Sequence, residues 1–310
     1  MKKIIILILI IIILFGVFVW LEIYLPKNPF FRLTVFFEVE KGWGAKEIAY
    51  NLEKAGIIRC GLFFRAFVYS KSVSGKLKAG EYGLSPAMNI PDIVEKLVSG
   101  DRIKKLITII EGWSVKDIGE YLKEKGIEGA EKIDPDIEGY LFPDTYEIFP
   151  EDGIEEIIEI MLANFDKKLT SELREEISSQ GRTIHEIVIM ASLIEKEVRT
   201  LEDKKIVSGI LWKRLEWDIP LQIDATIAYI TGRKTTKITK KELQIDSPYN
   251  TYKYKGLPLG PISNPGLESI LAAIYPQESQ YFYYLSAPEG ETIFSRTLKE
   301  HNEAKVKYLK

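Results

Sequence analysis

Cysteine and histidine are almost missing from this 310-residue chain, and the gap removes whole classes of chemistry. Cys60 stands alone, which excludes an internal disulfide and a cysteine-built metal site. His185 and His301 are the only histidines, too few for a histidine-rich metal centre. His185-Glu186 opens a zinc-like H-E-x-x-H pattern, but residue 189 is isoleucine. The G-x-x-x-x-G-K-[ST] phosphate loop, the G-x-S-x-G elbow and the G-x-G-x-x-G dinucleotide turn are also absent. No metal and no cofactor are expected. An excess of positive charge is lacking too. The 42 Lys/Arg and 45 Asp/Glu residues are mixed along the chain and leave a net charge of -3, so no nucleic-acid partner is expected. Carboxylate chemistry is what remains.

Charge is also missing from Ile4 to Leu21, an unbroken apolar run preceded by Lys2 and Lys3. Eighteen residues at about 1.5 Å each nearly cross a hydrocarbon layer of about 30 Å. A cleaved signal peptide has a shorter apolar core and a small-residue cleavage site. Here the exit carries Trp20 and Tyr24, side chains suited to a membrane interface, and then Pro26. The run reads as an uncleaved single-pass anchor. The two lysines place the N-terminus in the cytoplasm and the bulk of the chain in the periplasmic or extracytoplasmic space.

The rest is long enough for two modest domains. A strand-like segment, Leu33 to Val39, precedes an internal repeat. Gly42-Trp43 through Gly56-Ile57 recurs as Gly112-Trp113 through Gly126-Ile127, at a constant offset of 70 residues. Each copy follows a β-rich run (33–39 and 105–110), and each ends at a glycine suited to a left-handed helix cap. The repeat therefore predicts a small α+β unit. Between the copies, 77–82 reads as a strand and 90–97 as a helix closed by Gly100. Residues 138–146 form an aromatic turn, and 153–180 read as one helical stretch. An amphipathic helix is expected over 202–217 and an irregular, proline- and tyrosine-rich segment over 247–266. Twenty irregular residues inside a compact domain mark a functional loop. A helix (267–275), a hairpin (281–285 and 292–294, turning at 288–290) and a charged helix complete the chain.

One helix has an unusual composition. Thr183 and Glu186 form a capping-box pattern before the apolar run Ile187 to Ile194. At about 100° per residue, Ile184, Val188, Ala191, Glu195 and Val198 share a face, which puts Glu195 on the inward stripe of a buried helix. A carboxyl group removed from water holds its proton and can serve as a general acid; on pattern alone Glu195 reads equally as an end-of-helix glutamate paired with a lysine or turned to solvent. Glu197 projects roughly 200° away and reads as structural. Tyr-, Asn- and Gln-rich loops beside such a carboxyl suit sugar rings.

Several ordered segments carry a family resemblance. Ala191-Ser-Leu-Ile-Glu195-Lys-Glu197 resembles the A-S-[IL]-[IV]-E-[KR]-E motif of endolytic murein transglycosylases, the YceG-like family. Glu138-Gly-Tyr-Leu-Phe-Pro-Asp-Thr-Tyr146 resembles E-G-[YW]-L-F-P-D-T-Y. Leu221-Gln-Ile-Asp-Ala-Thr226 resembles L-Q-[ST]-D-[PA]-T, with Ile223 in place of a small polar residue. Ser247 to Tyr252, Gly256 to Ile262 and Asn264-Pro-Gly266 resemble S-P-Y-N-T-Y, G-L-P-P-G-P-I and N-P-G, with Leu259 replacing a proline. Thr297 to Asn302 resembles the closing T-x-x-x-H-N.

The resemblance implies an α+β protein in three parts. These are a cytoplasmic tip and transmembrane anchor (1–25), a small LysM-like region holding the repeat (26–147), and a larger mixed α/β catalytic domain (148–310). It implies a lytic transglycosylase that cleaves the β-1,4 bond between N-acetylmuramic acid and N-acetylglucosamine in nascent peptidoglycan. The product ends would be 1,6-anhydromuramic acid, and the reaction would terminate glycan elongation. Motif matching puts the catalytic acid/base at Glu195. Gln222, Asp224, Tyr249, Asn250 and Tyr252 are the candidate substrate-binding residues, although Asp224 also reads as an N-cap for a helix over 225–230 and the tyrosines as loop anchors. His301 reads as packing on the last helix. The implied partners are peptidoglycan strands, the membrane and cell-wall synthases. A non-catalytic, membrane-anchored glycan-binding scaffold is the alternative, and an inward-facing Glu195 argues against it.

Overall fold

The computed structural model describes residues 2–150, 152–233, 238–288 and 290–309. The Lys2 side chain and Glu289 of the predicted hairpin turn lie outside the described residues. The chain divides into two compact units, 1–106 with 147–151, and 107–146 with 152–310.

In the first unit, α1 (Lys2–Tyr24) is the apolar helix read from the sequence. β1 (Val35–Val39) follows, then α2 (Ala45–Lys54), α3 (Gly61–Ser70), β2 (Gly80–Leu84) and α4 (Ile90–Ser99). β1 pairs antiparallel with β2, Phe37 opposite Tyr82. Alternation buries Phe37 and Val39 on one side of β1 and Gly80, Tyr82 and Leu84 on one side of β2. These side chains pack with Ile48 and Leu52 of α2, Phe64 and Val68 of α3, and Ile93 and Leu97 of α4. Gly56 takes φ +74° just past α2, where Ile57 N bonds Leu52 O and Gly56 N bonds Glu53 O, closing the helix as a left-handed cap does.

In chain order β3 (Lys105–Thr108), α5 (Val115–Glu124) and β4 (Thr145–Ile148) come next. β3 pairs with β4, and the boundary between the units falls inside both strands. The second unit continues with α6 (Ile154–Lys168), α7 (Ser171–Ser179), α8 (Ile184–Glu197), α9 (Leu201–Glu216), α10 (Asp224–Thr231) and α11 (Leu267–Ile274). The antiparallel hairpin β5 (Tyr283–Ser286) with β6 (Thr292–Ser295) and α12 (Leu298–Tyr308) end it. α8 is the core helix. Ile187 through Ile194 are all buried, and α7, α9, α10 and α11 pack around it.

Three sequence expectations need correction. Helix α3 was not anticipated, because its inward Phe64, Phe67 and Val68 are masked by apolar residues on its other faces. The stretch 153–180 is two helices. The first ends at Leu169, and Thr170 starts the second by accepting from Leu173 N. The two copies of the repeat do not share a unit. Copy one builds the first unit, whereas copy two (Gly112 to Ile127) belongs to the second, so the compact units do not divide at residue 147. Similar local signals make similar helices, but their tertiary partners come from distant parts of the chain.

Candidate active site

The last turn of α8 collects the polar groups of the second unit. Glu195 is no lone carboxyl in apolar surroundings. Its Oε1 pairs with Lys204 Nζ of α9 at 3.2 Å, and Lys204 itself is buried. Its Oε2 accepts from Gly266 N at 2.9 Å and Ser269 Oγ at 2.7 Å. Gly266 caps α11, so the carboxylate sits at a helix N-terminus, where unpaired N–H groups favour an anion. Glu111 closes this corner. A Cβ on Gly266 would lie 2.0 Å from Glu111 Oε1, so any larger residue would displace the Glu111 side chain from this corner. Burial, then the nearby Glu195 charge, pushes the Glu111 carboxyl up.

Glu197 ends α8, and Val198 leaves the helix in extended conformation. Its carboxyl receives the Tyr284 hydroxyl of β5 and has no ion-pair partner among the described residues. Burial pushes it up to about 7, the Tyr284 bond opposes the shift, and the charge of Asp224 adds to it. On the helix wheel Glu197 differs from Glu195 only in angle. The helix wheel does not show what stands opposite, and here β5 and the start of α10 do.

Asp224 is the first residue of α10 and does not cap it. Ile223 holds the cap position without a side-chain bond, and the Asp224 carboxylate instead accepts the Tyr252 hydroxyl. Tyr252 is held well above its ordinary range by burial and by Asp224. Gln222 is exposed at φ +55°, a conformation non-glycine residues rarely hold. Its Oε1 accepts from the buried Arg214 of α9 at 3.2 Å, and its N–H donates to Thr251 O at 3.1 Å. Arg214 also donates to Leu221 O and lies 5.6 Å from the centre of the Tyr283 ring. Glu197, Asp224, Tyr252 and Tyr284 form one electrostatic cluster, and the Arg214 charge opposes the upward shift of both tyrosines.

Two predicted binding residues serve the loop instead. Asn250 is fully buried, donates to Leu243 O and Ile245 O, and accepts from Tyr252 N and Lys253 N. No atom of it is left to meet a sugar. The Tyr249 ring packs on Tyr229 at 5.1 Å and lies under Gly260. His301 stacks on Tyr283 at 5.2 Å rather than resting on its own helix.

Glu138, part of the aromatic turn, was not singled out. It is buried at the start of α5. Val115 N donates to both of its oxygens, at 3.0 and 3.1 Å, and Asn264 Nδ2 donates at 3.0 Å. Burial holds its carboxyl up at about 7 against these bonds. Asn264 also accepts from Leu141 N and Gly112 N and donates to Trp113 O, while Lys196 Nζ donates to Gly112 O. The signal for Glu138 was present in sequence, an acid heading the segment Gly139-Tyr140-Leu141-Phe142-Pro143. Nothing local pointed to Lys204, Arg214 or Tyr284.

These contacts join the blocks at 111–113, 138–141, 191–197, 221–226, 250–252 and 264–269. The sequence model of the YceG-like family matches residues 37–307. The chain belongs to this family. An endolytic murein transglycosylase of Bacillus subtilis is 34% identical over 92% of this chain and 87% of its own length. One of Streptococcus pneumoniae is 30% identical over 93% of this chain, which spans 61% of that longer protein. A crystal structure of a yceG-like protein from Listeria monocytogenes, 34% identical, covers 88% of this chain at a TM-score of 0.60. Within this YceG-like fold the segments 221–226 and 264–269 meet the end of α8.

Proposed function

We propose that this chain is a lytic transglycosylase of peptidoglycan, with Glu197 rather than Glu195 as its acid/base. The observation that carries the assignment is the different company of the two carboxyls. Glu195 is tied to a buried ammonium, an N–H and a hydroxyl. Burial pushes Glu197 up to about 7 beside Tyr284, with no ion-pair partner among the described residues. A group poised near working pH both gives and recovers a proton. Glu197 donates its proton to the glycosidic oxygen as the bond from the muramic anomeric carbon breaks. The muramic C6 hydroxyl then attacks that carbon, and its proton goes to the Glu197 carboxylate. No water enters, so the second carboxylate of an ordinary glycosidase is not needed. The nucleophile is already part of the substrate, which lowers the entropic cost. Asp224 with Tyr252 and exposed Gln222 form the polar wall for sugar hydroxyls. Glu195 anchors the helix end. The names of the relatives supply the substrate class, and α1 supports a single-pass anchor with the remaining residues outside the cytoplasm. The β1–α2–α3–β2 arrangement supports a LysM-like reading of the first unit.

The test is digestion of purified peptidoglycan in labelled water, with products read by mass spectrometry. Wild type is expected to give anhydro ends without label, at a rate that falls as pH rises through about 7. Glu197→Gln is expected to fold and to lose about 10³-fold or more in rate, near the upper end for loss of a positioned acid/base. Near-normal cleavage by Glu197→Gln, with a folded Glu195→Gln inactive, would return the role to Glu195. Labelled reducing ends would make the enzyme a hydrolase.

A further inference from the structure

In the first unit the spanning helix does not leave the domain behind. The Phe18 ring of α1 meets the Phe63 ring of α3 edge-on at 5.8 Å, and Tyr24 meets Phe67 at 6.4 Å. Arg59 fixes the exit by donating to Pro26 O at 2.7 Å and to Leu25 O at 3.4 Å, and Asn28 N donates to Pro86 O. The packing sets a height. Glu22 is the first charge after the apolar run, so the hydrocarbon boundary lies no further out than that residue. Phe18 is four residues earlier, about 6 Å deeper along a helix rising 1.5 Å per residue. Whatever touches Phe18 is at that depth as well.

The part of α3 beside it is apolar on its open side. Leu62 is 63% exposed and Tyr69 55%, with Ala66 also exposed between them, at i, i+4 and i+7 on one stripe. Arg65 lies beside this stripe and buries an Nε with no partner among the described residues. A guanidinium at that height can snorkel to lipid phosphates. Helix α3 packs against α1, whose apolar side chains are exposed along its length, and a bilayer is the occupant that suits both.

We propose that the first turns of α3 are immersed in the bilayer, so that the first unit is seated in the membrane surface as well as tethered through α1. Burial of a few ångströms into the headgroup and acyl boundary is the ordinary geometry of interfacial helices. The stripe then ends at Tyr69, a residue type suited to the water side of that boundary. The proposal rests on the reading of α1 as a membrane anchor and extends it.

The experiment reconstitutes the full-length chain, in a Cys60→Ser background, into vesicles of phosphatidylcholine and phosphatidylglycerol. Single cysteines replace Leu62, Ala66, Leu14 of α1 or the exposed Tyr50 of α2, each carrying an environment-sensitive fluorophore. Emission and quenching by spin-labelled lipids are read. Leu62→Cys and Ala66→Cys are expected to show blue-shifted emission and lipid quenching approaching those of Leu14→Cys, with Tyr50→Cys resembling a probe in water. Probes at 62 and 66 that behave like the one at 50, while the probe at 14 is quenched, would overturn the seating and leave the anchor intact. A probe at 14 that is not quenched would overturn both.

Discussion

The two units bury different things. The interior of the first is built of aliphatic and aromatic side chains, Ile48, Leu52, Phe64, Leu84 and Leu97 among them. Every buried Ser, Thr, Asn, Glu, Lys or Arg among the described residues lies in the second unit. Many surround the end of α8: Ser192, Lys204, Arg214, Thr251, Ser263, Asn264 and Ser269. Buried polar groups cost stability unless each finds a partner, and they fix one arrangement when it does. The contrast separates a unit built to hold together from one that spends stability to hold a few carboxyl groups in place.

The largest expected effect on stability tests the core of this contrast. Lys204→Met strips Glu195 of its cation in a buried setting and should cost about 3–5 kcal/mol in chemical denaturation. The double variant Glu195→Leu, Lys204→Met should recover most of that loss, because a buried pair replaced by apolar groups is often neutral. Equal losses in the single and double variants would mean that the two groups are not coupled. An apolar truncation in the first unit, Leu52→Ala, offers no such rescue, and its cost of about 2–5 kcal/mol is that of a cavity.

A smaller effect distinguishes the units by pH. Glu138 in the folded chain is held at about 7, against 4.5 for the free group. The folded state therefore keeps a proton that the unfolded state releases. Its stabilising contribution is complete below about 4.5 and is lost as pH rises through about 7, with a limit on the order of 3 kcal/mol. Glu197 acts in the same direction over the same window. Hydrogen exchange, corrected for its intrinsic pH dependence, should show protection falling across this range around α5 and α8. Glu138→Gln should flatten the fall, and an unchanged slope would exclude Glu138 as its source.

The smallest effect compares the two copies of the repeat. Ser114 caps α5 through Asp117 N, with Asp117 reaching back to Ser114 N. Its counterpart Gly44 has no side-chain cap, and only Glu47 returns to its N–H. Ser114→Ala should cost about 1 kcal/mol, and Gly44→Ser should change stability by only a few tenths. Equal responses would show that the extra anchoring by Glu138 makes the Ser114 cap redundant.

What the sequence made legible was local. The α1 run, the Thr183 capping box, the left-handed Gly100 and the caps after both repeat helices depend on neighbours within five residues, and the structure has them all. The family motifs were legible, and they bracket the candidate site. The division of labour inside it was not. Whether Glu195 or Glu197 is free depends on Lys204, Gly266, Ser269 and Tyr284, and no periodicity announces which distant residue will stand opposite. Asn250 shows the same limit from the other side. Its polar side chain suggested a sugar contact, but the turn around it uses every hydrogen bond it can make.

The Asn264 knot has a consequence in time. It joins Trp113 to a residue 151 positions later and Leu141 to one 123 positions later. Synthesis at about 5–20 residues per second leaves Trp113 and Glu138 waiting several seconds to half a minute for Asn264 to be made. The first unit needs no such delay, since nearly all of its residues precede position 107. The second copy of the repeat thus emerges early with its partners missing, and the corner around Asn264 closes only near the end of translation.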